Sequence, residues 1–332
     1  TRHVELYVSQ NDIIDIIPKI SLIFCEPFSD SSQLPTYILS KLTKNYVSVA
    51  LSGDGGDELF GGYNRYGLAP EIWKYIGWMN PSLRTFFSKM MCRPSPEFYN
   101  SILEPLQRFF PEKFLQTNYG DKIHKTSNVL NAESKNDLFQ KLARIWPIET
   151  PYLNRKSKNT LGGPALEKIN TNNFVHDMMA IDMVTYLPDD ILVKVDRSAM
   201  SVSLETRVPF LDKDVVEFAW SLPIDYKVNN GMRKIILNKL LSKYLPKKLF
   251  NRPKMGFGLP IGKWLKKDLR DWAESLIDEK KLKEEGYFSH HEVRKKWHEH
   301  LTGKRNWDYQ LWNVLMFQQW LDTYGSTTKK NI

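Results

Sequence analysis

The sequence predicts an α/β fold in which helices dominate, and three observations carry that prediction. Strand-like and helix-like segments alternate over roughly the first seventy residues, as in βαβ units with a parallel sheet. One apolar, β-rich run, Val47–Ser52, passes directly into glycines. After Tyr66 the strand signals fade and the chain reads as successive helices. With 332 residues, 42% of them hydrophobic and 26% charged, it can bury the core of one large domain or two ordinary ones.

Taken in order, His3–Val8 alternates like a strand. Asn11–Ile20 follows with an Asn or Asp cap and isoleucines at helical spacing. Gln33–Tyr46 reads as a helix carrying Pro35 in its first turn. Val47–Ser52 is the second strand. Helices are then predicted within Ser95–Phe110, Ser134–Trp146, Asn172–Leu187, Pro188–Met200, Asp212–Leu222, Gly231–Leu245, Pro260–Ile277 and Asn306–Leu321. The stretch Asn154–Lys168 has the composition of a flexible connection. The Trp and Phe residues near the C-terminus are spaced as a buried helix face, which favours packing over base stacking. We divide the chain into an α/β portion, 1–70, and a helical remainder of the same domain, 71–332.

The net charge is +9, but the basic residues are not gathered as a nucleic-acid surface requires, so no nucleic-acid partner is expected. They are densest between Lys280 and Arg305, where acids and histidines alternate with them. That stretch reads as a solvated helical face, or as a basic site for phosphates. No apolar run is long enough to span a bilayer and no secretory segment opens the chain. Cys25 and Cys92 are the only cysteines and read as reduced thiols, so a cytoplasmic protein without a membrane partner is expected.

The segment "VALSGDGGDELFGGY", Val49–Tyr63, sets Asp54, Asp57 and Glu58 among five glycines. A strand that runs through glycines into a helix presents free backbone N–H groups, which attract anions and phosphate above all. Gly53, Gly55 and Gly56 let the backbone approach without a Cβ in the way. Carboxylates alone would repel phosphate. With Mg²⁺ between them the two become partners, because Mg²⁺ takes oxygen ligands and commonly joins one or two carboxylates to phosphates. Asp54 and Asp57, three apart, would share one face of a helical turn. The plainer alternative is an Asp-Gly turn with an aspartate cap. "GLPIGKW", Gly258–Trp264, lacks the spacing and hydroxyl of a Walker loop, and no GxGxxG follows a strand.

"LSGDGGDELFGGYNRY" resembles the second nucleotide-site motif of the asparagine synthetase family, glutamine-dependent amidotransferases with an ATP-pyrophosphatase type synthetase domain. Three further stretches resemble that family in order: "EPFSDSSQLPTYILSKL" (Glu26–Leu42), "YLPDDILVKVDRSAMSVSLETRVPFLDKDVVEFAWSLP" (Tyr186–Pro223) and "RPKMGFGLPIGKWL" (Arg252–Leu265). Trp73–Lys168 carries little of the likeness. The resemblance implies a synthetase that uses ATP and Mg²⁺ to adenylate a small-molecule carboxylate, aspartate or an analogue. Ammonia from a glutaminase domain then displaces AMP. It implies metal binding at Asp57, nucleotide contact at Ser52 and Gly53 within the loop that includes Gly55 and Gly56, a reacting-centre role for Asp54, and neutralisation of departing pyrophosphate by Lys254. Asp190, Asp196, Arg197, Glu205 and Arg207 are dense charges in a partly apolar stretch, and substrate binding and structural ion pairing stand level for them. A solvated loop lysine is the plainer alternative for Lys254.

Two departures qualify the likeness. Members that make asparagine commonly carry Glu where Asp54 stands, and Asp reaches about 1.5 Å less, so another acid, a sugar acid or a peptide carboxylate, is an open substrate. The family's first phosphate loop, Ser-Gly-Gly-x-Asp-Ser, has no counterpart in the chain, and the glutaminase domain has none either. The expectation is a C-terminal fragment of a longer protein, inactive alone or a catalytically silent binding module. Only a remnant of the parallel sheet should persist, with His3–Val8 and Val47–Ser52 pointing the same way but not adjacent. A homodimer is left open.

Overall fold

A computed structural model describes residues 3–5, 7–106, 119–146, 152–154, 169–250 and 258–328. Among these the chain is mostly helical, with two small sheets. β1 (Val49–Leu51) pairs in parallel with β2 (Glu205–Arg207), Val49 opposite Glu205 and Leu51 opposite Arg207. β3 (Val228–Asn229) and β4 (Met232–Arg233) form a short antiparallel hairpin, turned by Asn230 and Gly231, both at positive φ.

The expected strand at His3–Val8 is not formed: its described residues are exposed and irregular. An alternating pattern becomes a strand only where a neighbour takes its backbone hydrogen bonds, and the partner of β1 comes instead from residues 205–207. That strand lies far beyond Tyr66, where strand signals were expected to end. It escapes a reading of periodicity because it is three residues long and two of them are charged. Around 154–168, only Asn154 of the expected flexible connection lies among the described residues.

Most helices fall where apolar spacing places them. Gln33–Lys44 carries Pro35 in its first turn. Ser134 caps Lys135–Ala143 by accepting from the Asp137 N–H, and Asn173 caps Phe174–Val184. Leu187–Leu192 winds as a π-helix before the α-helix Val193–Met200. The stretch with few motifs contributes Pro81–Cys92 and Tyr119–Leu130.

Three apolar clusters hold these elements. The largest joins Ile13, Ile17, Phe24 and Leu34 to Trp264, Trp297, Trp312 and Leu315, so among the C-terminal aromatics Trp312 is core and Trp307 packs against it, while Phe317 and Trp320 are only half-buried. A second gathers Tyr66, Ala69, Leu138, Phe139, Met178 and Met179. A third sets Leu59 and Phe60 against Ala219. The basic stretch 280–305 is largely paired: Lys281 with Asp322 at 2.6 Å and Arg294 with Glu274 at 2.5 Å. Lys296 is buried 3.7 Å from the centre of the Trp307 ring. These contacts favour the helical-face reading over a phosphate site. No helix among the described residues is long and apolar enough to cross a membrane.

Candidate active site

The loop that follows β1 is assembled by hydrogen bonds its own sequence supplies. The Ser52 N–H donates to the Arg207 carbonyl at 2.9 Å, tying the end of β1 to β2. The Ser52 hydroxyl donates to Asp54 Oδ2 at 2.6 Å. Gly55 then takes φ 78° and opens the five-residue helix Gly56–Phe60, a conformation that disfavours any residue with a Cβ.

The glycines divide by function. A Cβ on Gly53 would meet nothing within 4 Å, so that backbone is open to approach. A Cβ on Gly55 would lie 2.6 Å from Leu211 Cδ2, and one on Gly56 3.1 Å from the Phe210 ring. Space at Gly55 and Gly56 is thus taken by the "VPFLD" turn. The room expected beside all three glycines is present at Gly53, while at Gly55 and Gly56 the space a Cβ would take is filled by close packing of the turn. The expected shared helical face of Asp54 and Asp57 is corrected. Asp54 lies in the turn ahead of the helix and Asp57 in its first turn.

Asp57 meets the Lys234 ammonium at 2.6 Å. This approach needs Gly62, where a Cβ would overlap both Asp57 Oδ1 and Lys234 Cε. Lys234, at positive φ, begins the helix Ile235–Leu241 directly after the β3–β4 hairpin. Its neighbour Arg233 donates to the Asn64 side chain and the Gly62 carbonyl. The hairpin therefore clasps the glycine-acid loop. Sequence reading missed Lys234; the only signal was an Arg-Lys pair beyond the Asn-Gly turn.

Glu58, the third acid, turns inward. It is 1% exposed, accepts from the Tyr63 hydroxyl at 2.6 Å, and has its carboxyl pKa raised chiefly by burial. Behind it Arg65 pairs with Asp182 at 2.7 Å, its guanidinium 4.2 Å from the Tyr63 ring centre and 5.1 Å from that of Tyr186. Tyr66 donates to the same Asp182 oxygen at 2.5 Å.

Asp190 sits in the π-helical turn with Lys194 at 3.9 Å, and Lys194 is closer still, 2.7 Å, to Asp30. Burial, then the Asp30 carboxylate, push Asp190 well above the usual carboxylate range. Burial acts the same way on Asp30, but the Lys194 ammonium and the Ser32 hydroxyl and N–H override it, so Asp30 titrates low. One half-buried carboxyl that resists ionisation beside one that stays charged is a pairing proteins use to divide proton roles. Asp30 was overlooked in the sequence, although "SDSS" places beside it the Ser32 hydroxyl that binds it.

The remaining candidates separate. Glu205 and Arg207 pair with each other at 2.7 Å on β2, beside β1, and both are more than half exposed. Asp196 and Arg197 are exposed on the helix Val193–Met200 and are not drawn into the buried cluster. Lys254 lies outside the described residues. Among the described residues no three His, Cys, Asp or Glu side chains are grouped to hold a metal ion. Asp57 offers one carboxylate, which suits an ion shared with phosphates and not a protein cage.

The fold and this loop define a class: a helix-rich α/β domain with an acidic, glycine-lined site at the carboxyl end of a parallel strand. A family model described as asparagine synthase matches residues 1–322, and the chain belongs to that family. It is 28% identical over 317 residues to asparagine synthetase [glutamine-hydrolyzing] 1 of Bacillus subtilis (strain 168), covering 94% of this chain and 46% of the relative. It is 30% identical over 323 residues to a putative asparagine synthetase [glutamine-hydrolyzing] of Mycobacterium bovis, covering 96% and 46%. A similarly named protein of Methanocaldococcus jannaschii is 32% identical over 219 residues, 63% of this chain and 37% of that one. The chain thus spans less than half the length of these relatives.

Proposed function

We propose that the chain is the synthetase portion of a glutamine-dependent asparagine synthetase, which amidates aspartate at the expense of ATP. The observation that carries this reading is the carboxyl end of β1. There Asp54 and Asp57 follow the open backbone of Gly53, one held by Ser52 and the other by Lys234. A site that alternates charge around bare backbone suits a polyphosphate that brings a cation with it.

In the proposed reaction a substrate carboxylate oxygen attacks the α-phosphorus of ATP, and the bond to the bridging oxygen breaks to release pyrophosphate. Ammonia then attacks the acyl carbon; AMP leaves and the nitrogen loses a proton. Bound Mg²⁺ would screen the charge on the departing pyrophosphate. Asp57 would hold that ion in place of the Lys234 ammonium it now meets. Ser52 and Gly53 would contact the nucleotide. Asp54 would orient ammonia or accept its proton, and Lys254 would neutralise charge on the leaving group, worth about 3–4 kcal/mol at such a position. The ammonia would come from a glutaminase domain of the parent protein. The shorter reach of Asp54, drawn back further by Ser52, favours a second reading in which the acid is not aspartate.

Pyrophosphate release, measured with and without each candidate acid, tests both. The parent protein should respond to aspartate, or to another acid under the second reading, and Asp57→Ala or Lys254→Ala should abolish the response. The 332-residue chain alone should release none. Lacking the first loop, it forgoes two or three charge-assisted hydrogen bonds of about 1.5–3 kcal/mol each, several orders of magnitude in MgATP affinity. A fully active parent Asp57→Ala would sink the proposal, and robust aspartate-dependent release by the chain alone would overturn the role given to the first loop.

A further inference from the structure

The helix Pro81–Cys92 turns its apolar side to solvent. Leu83, Phe86, Phe87 and Met90 recur at i, i+3, i+4 and i+7, the spacing of one helix face. Leu83, Phe86 and Met90 are each more than half exposed, and Phe87 is exposed as well. The residues this helix buries are Arg84 and Ser88, on its other side. Buried polar groups beneath an exposed apolar stripe reverse the usual arrangement.

The reversal is held in place by the polar side. The Arg84 guanidinium carbon lies 5.4 Å from the Trp73 ring centre, a cation–π contact. The Thr85 hydroxyl donates to Asn131 Oδ1 at 2.8 Å. Cys92 Sγ and Ser127 Oγ are 2.6 Å apart, and the Tyr99 hydroxyl donates to the Met91 carbonyl at 2.9 Å. Rolling the helix to bury its phenylalanines would break these contacts. The stripe is therefore an outer surface, and an exposed apolar face of this kind marks contact with another body.

The charge around the stripe tells what that body is. From Ile72 to Pro96 the sequence has no acid and carries Lys74, Arg84, Lys89 and Arg93. Lys74, Lys89 and Arg93 are exposed. Lys89 follows Phe86 by three residues and Arg93 follows it by seven, which puts both cations along one edge of the stripe. Tyr75 and Trp78, just ahead of the helix, are exposed too. Aromatic and aliphatic side chains edged by Lys and Arg suit a bilayer with anionic headgroups, where the apolar groups enter the acyl boundary and the cations meet phosphates. A second copy suits the stripe less. A two-fold contact lays one patch on itself, so cations would meet cations with no acid from this stretch to answer them. The expectation of no membrane partner rests on the absence of a spanning segment, and a face that lies on a bilayer needs none.

We propose that the outward face of Pro81–Cys92 docks the protein on an anionic phospholipid surface. Leu83, Phe86, Phe87 and Met90 enter the interface, and Lys89 and Arg93 hold the headgroups.

The test is flotation of the 332-residue chain with vesicles of equal parts phosphatidylglycerol and phosphatidylcholine, against vesicles of phosphatidylcholine alone. The chain should float with the first and not with the second. A net charge of +9 attracts any such chain to anionic vesicles, so the decisive variant keeps the charge. Phe86→Ser with Phe87→Ser should weaken binding at least about tenfold and leave the thermal unfolding midpoint nearly unchanged. Lys89→Gln with Arg93→Gln should weaken it about 30-fold, roughly fivefold per cation. No flotation with the anionic vesicles, or undiminished flotation of the phenylalanine variant, would overturn the proposal. So would a dimer in sedimentation velocity that the phenylalanine variant dissolves, since the face would then belong to a second copy. If that variant fails to fold, Lys89→Gln with Arg93→Gln is compared with Lys280→Gln with Lys283→Gln, two exposed cations elsewhere. A larger loss from the first pair supports the docking face, and equal losses overturn it.

Discussion

Gly62 determines whether Asp57 and Lys234 can meet, because any Cβ there overlaps both side chains. Gly62→Ala should therefore cost about 1–3 kcal/mol in urea unfolding. Lys234→Met, which removes a partly exposed pair, should cost no more than about 1 kcal/mol. Equal losses would show that the ion pair, and not the crowding, sets the strain. Glu58 offers a pH test. Its folded pKa is raised above the ordinary 4.5, so between those two values the folded state binds more protons than the unfolded one, and Glu58 loses stability as pH rises through that window. Glu58→Gln keeps an acceptor for Tyr63. Its stability relative to the parent chain should grow as pH climbs from 4.5 and then level off, as paired thermal melts would show. Of the acids in this loop, Asp54 and Asp57 were legible as candidate site residues because acids among glycines need an external reason. The inward turn of Glu58 was not legible, because only its neighbours bury it.

At the level of elements, the site is made by segments remote in sequence. β1 ends in the loop, β2 accepts the Ser52 N–H, and the β3–β4 hairpin delivers Lys234. The strand β1 and the helix Gln33–Lys44 before it were legible from apolar spacing. β2 and the hairpin were not, since two- and three-residue strands carry too little periodicity to register. A comparable junction sits at the C-terminal end. The His300 Nε2–H donates to the Gly262 carbonyl at 3.1 Å, and Nδ1 accepts from the Trp307 N–H at 3.3 Å, so the neutral ring joins three elements. Burial depresses its pKa below 6.5. Its stabilisation is complete above pH 6.5 and is lost as pH falls below that value toward the depressed one. His300→Gln should be about 1–2 kcal/mol less stable at pH 7.5, and the gap to the parent chain should narrow below pH 6.5 in denaturant titrations. A constant gap would show that the ring titrates alike in the folded and the unfolded chain.

Over the whole molecule, the first forty residues and the last seventy share one core. Leu311, Trp312, Val314, Leu315 and Met316, all on the helix Asp308–Thr328, are buried in it. At about 1.5–3 kcal/mol each, they approach or exceed the roughly 5–15 kcal/mol of a typical fold. Truncation after Thr302 should abolish cooperative unfolding by circular dichroism. A truncated chain that melts sharply would mean that the N-terminal helices are held elsewhere. In the parallel pair β1–β2, Val49 and Leu51 are 42% and 72% exposed in this chain. By itself the sequence determined the helical majority, the burial of Trp312 on the C-terminal helix and the place of the acidic loop, because each rests on residue types at short, regular spacing. Tertiary structure alone decided that Gly55 and Gly56 serve packing, that Lys234 faces Asp57, and that Asp30 and Asp190 share Lys194. Those outcomes depend on which distant segments come into contact, and burial and charge act over a few ångströms of space irrespective of the length of chain between them.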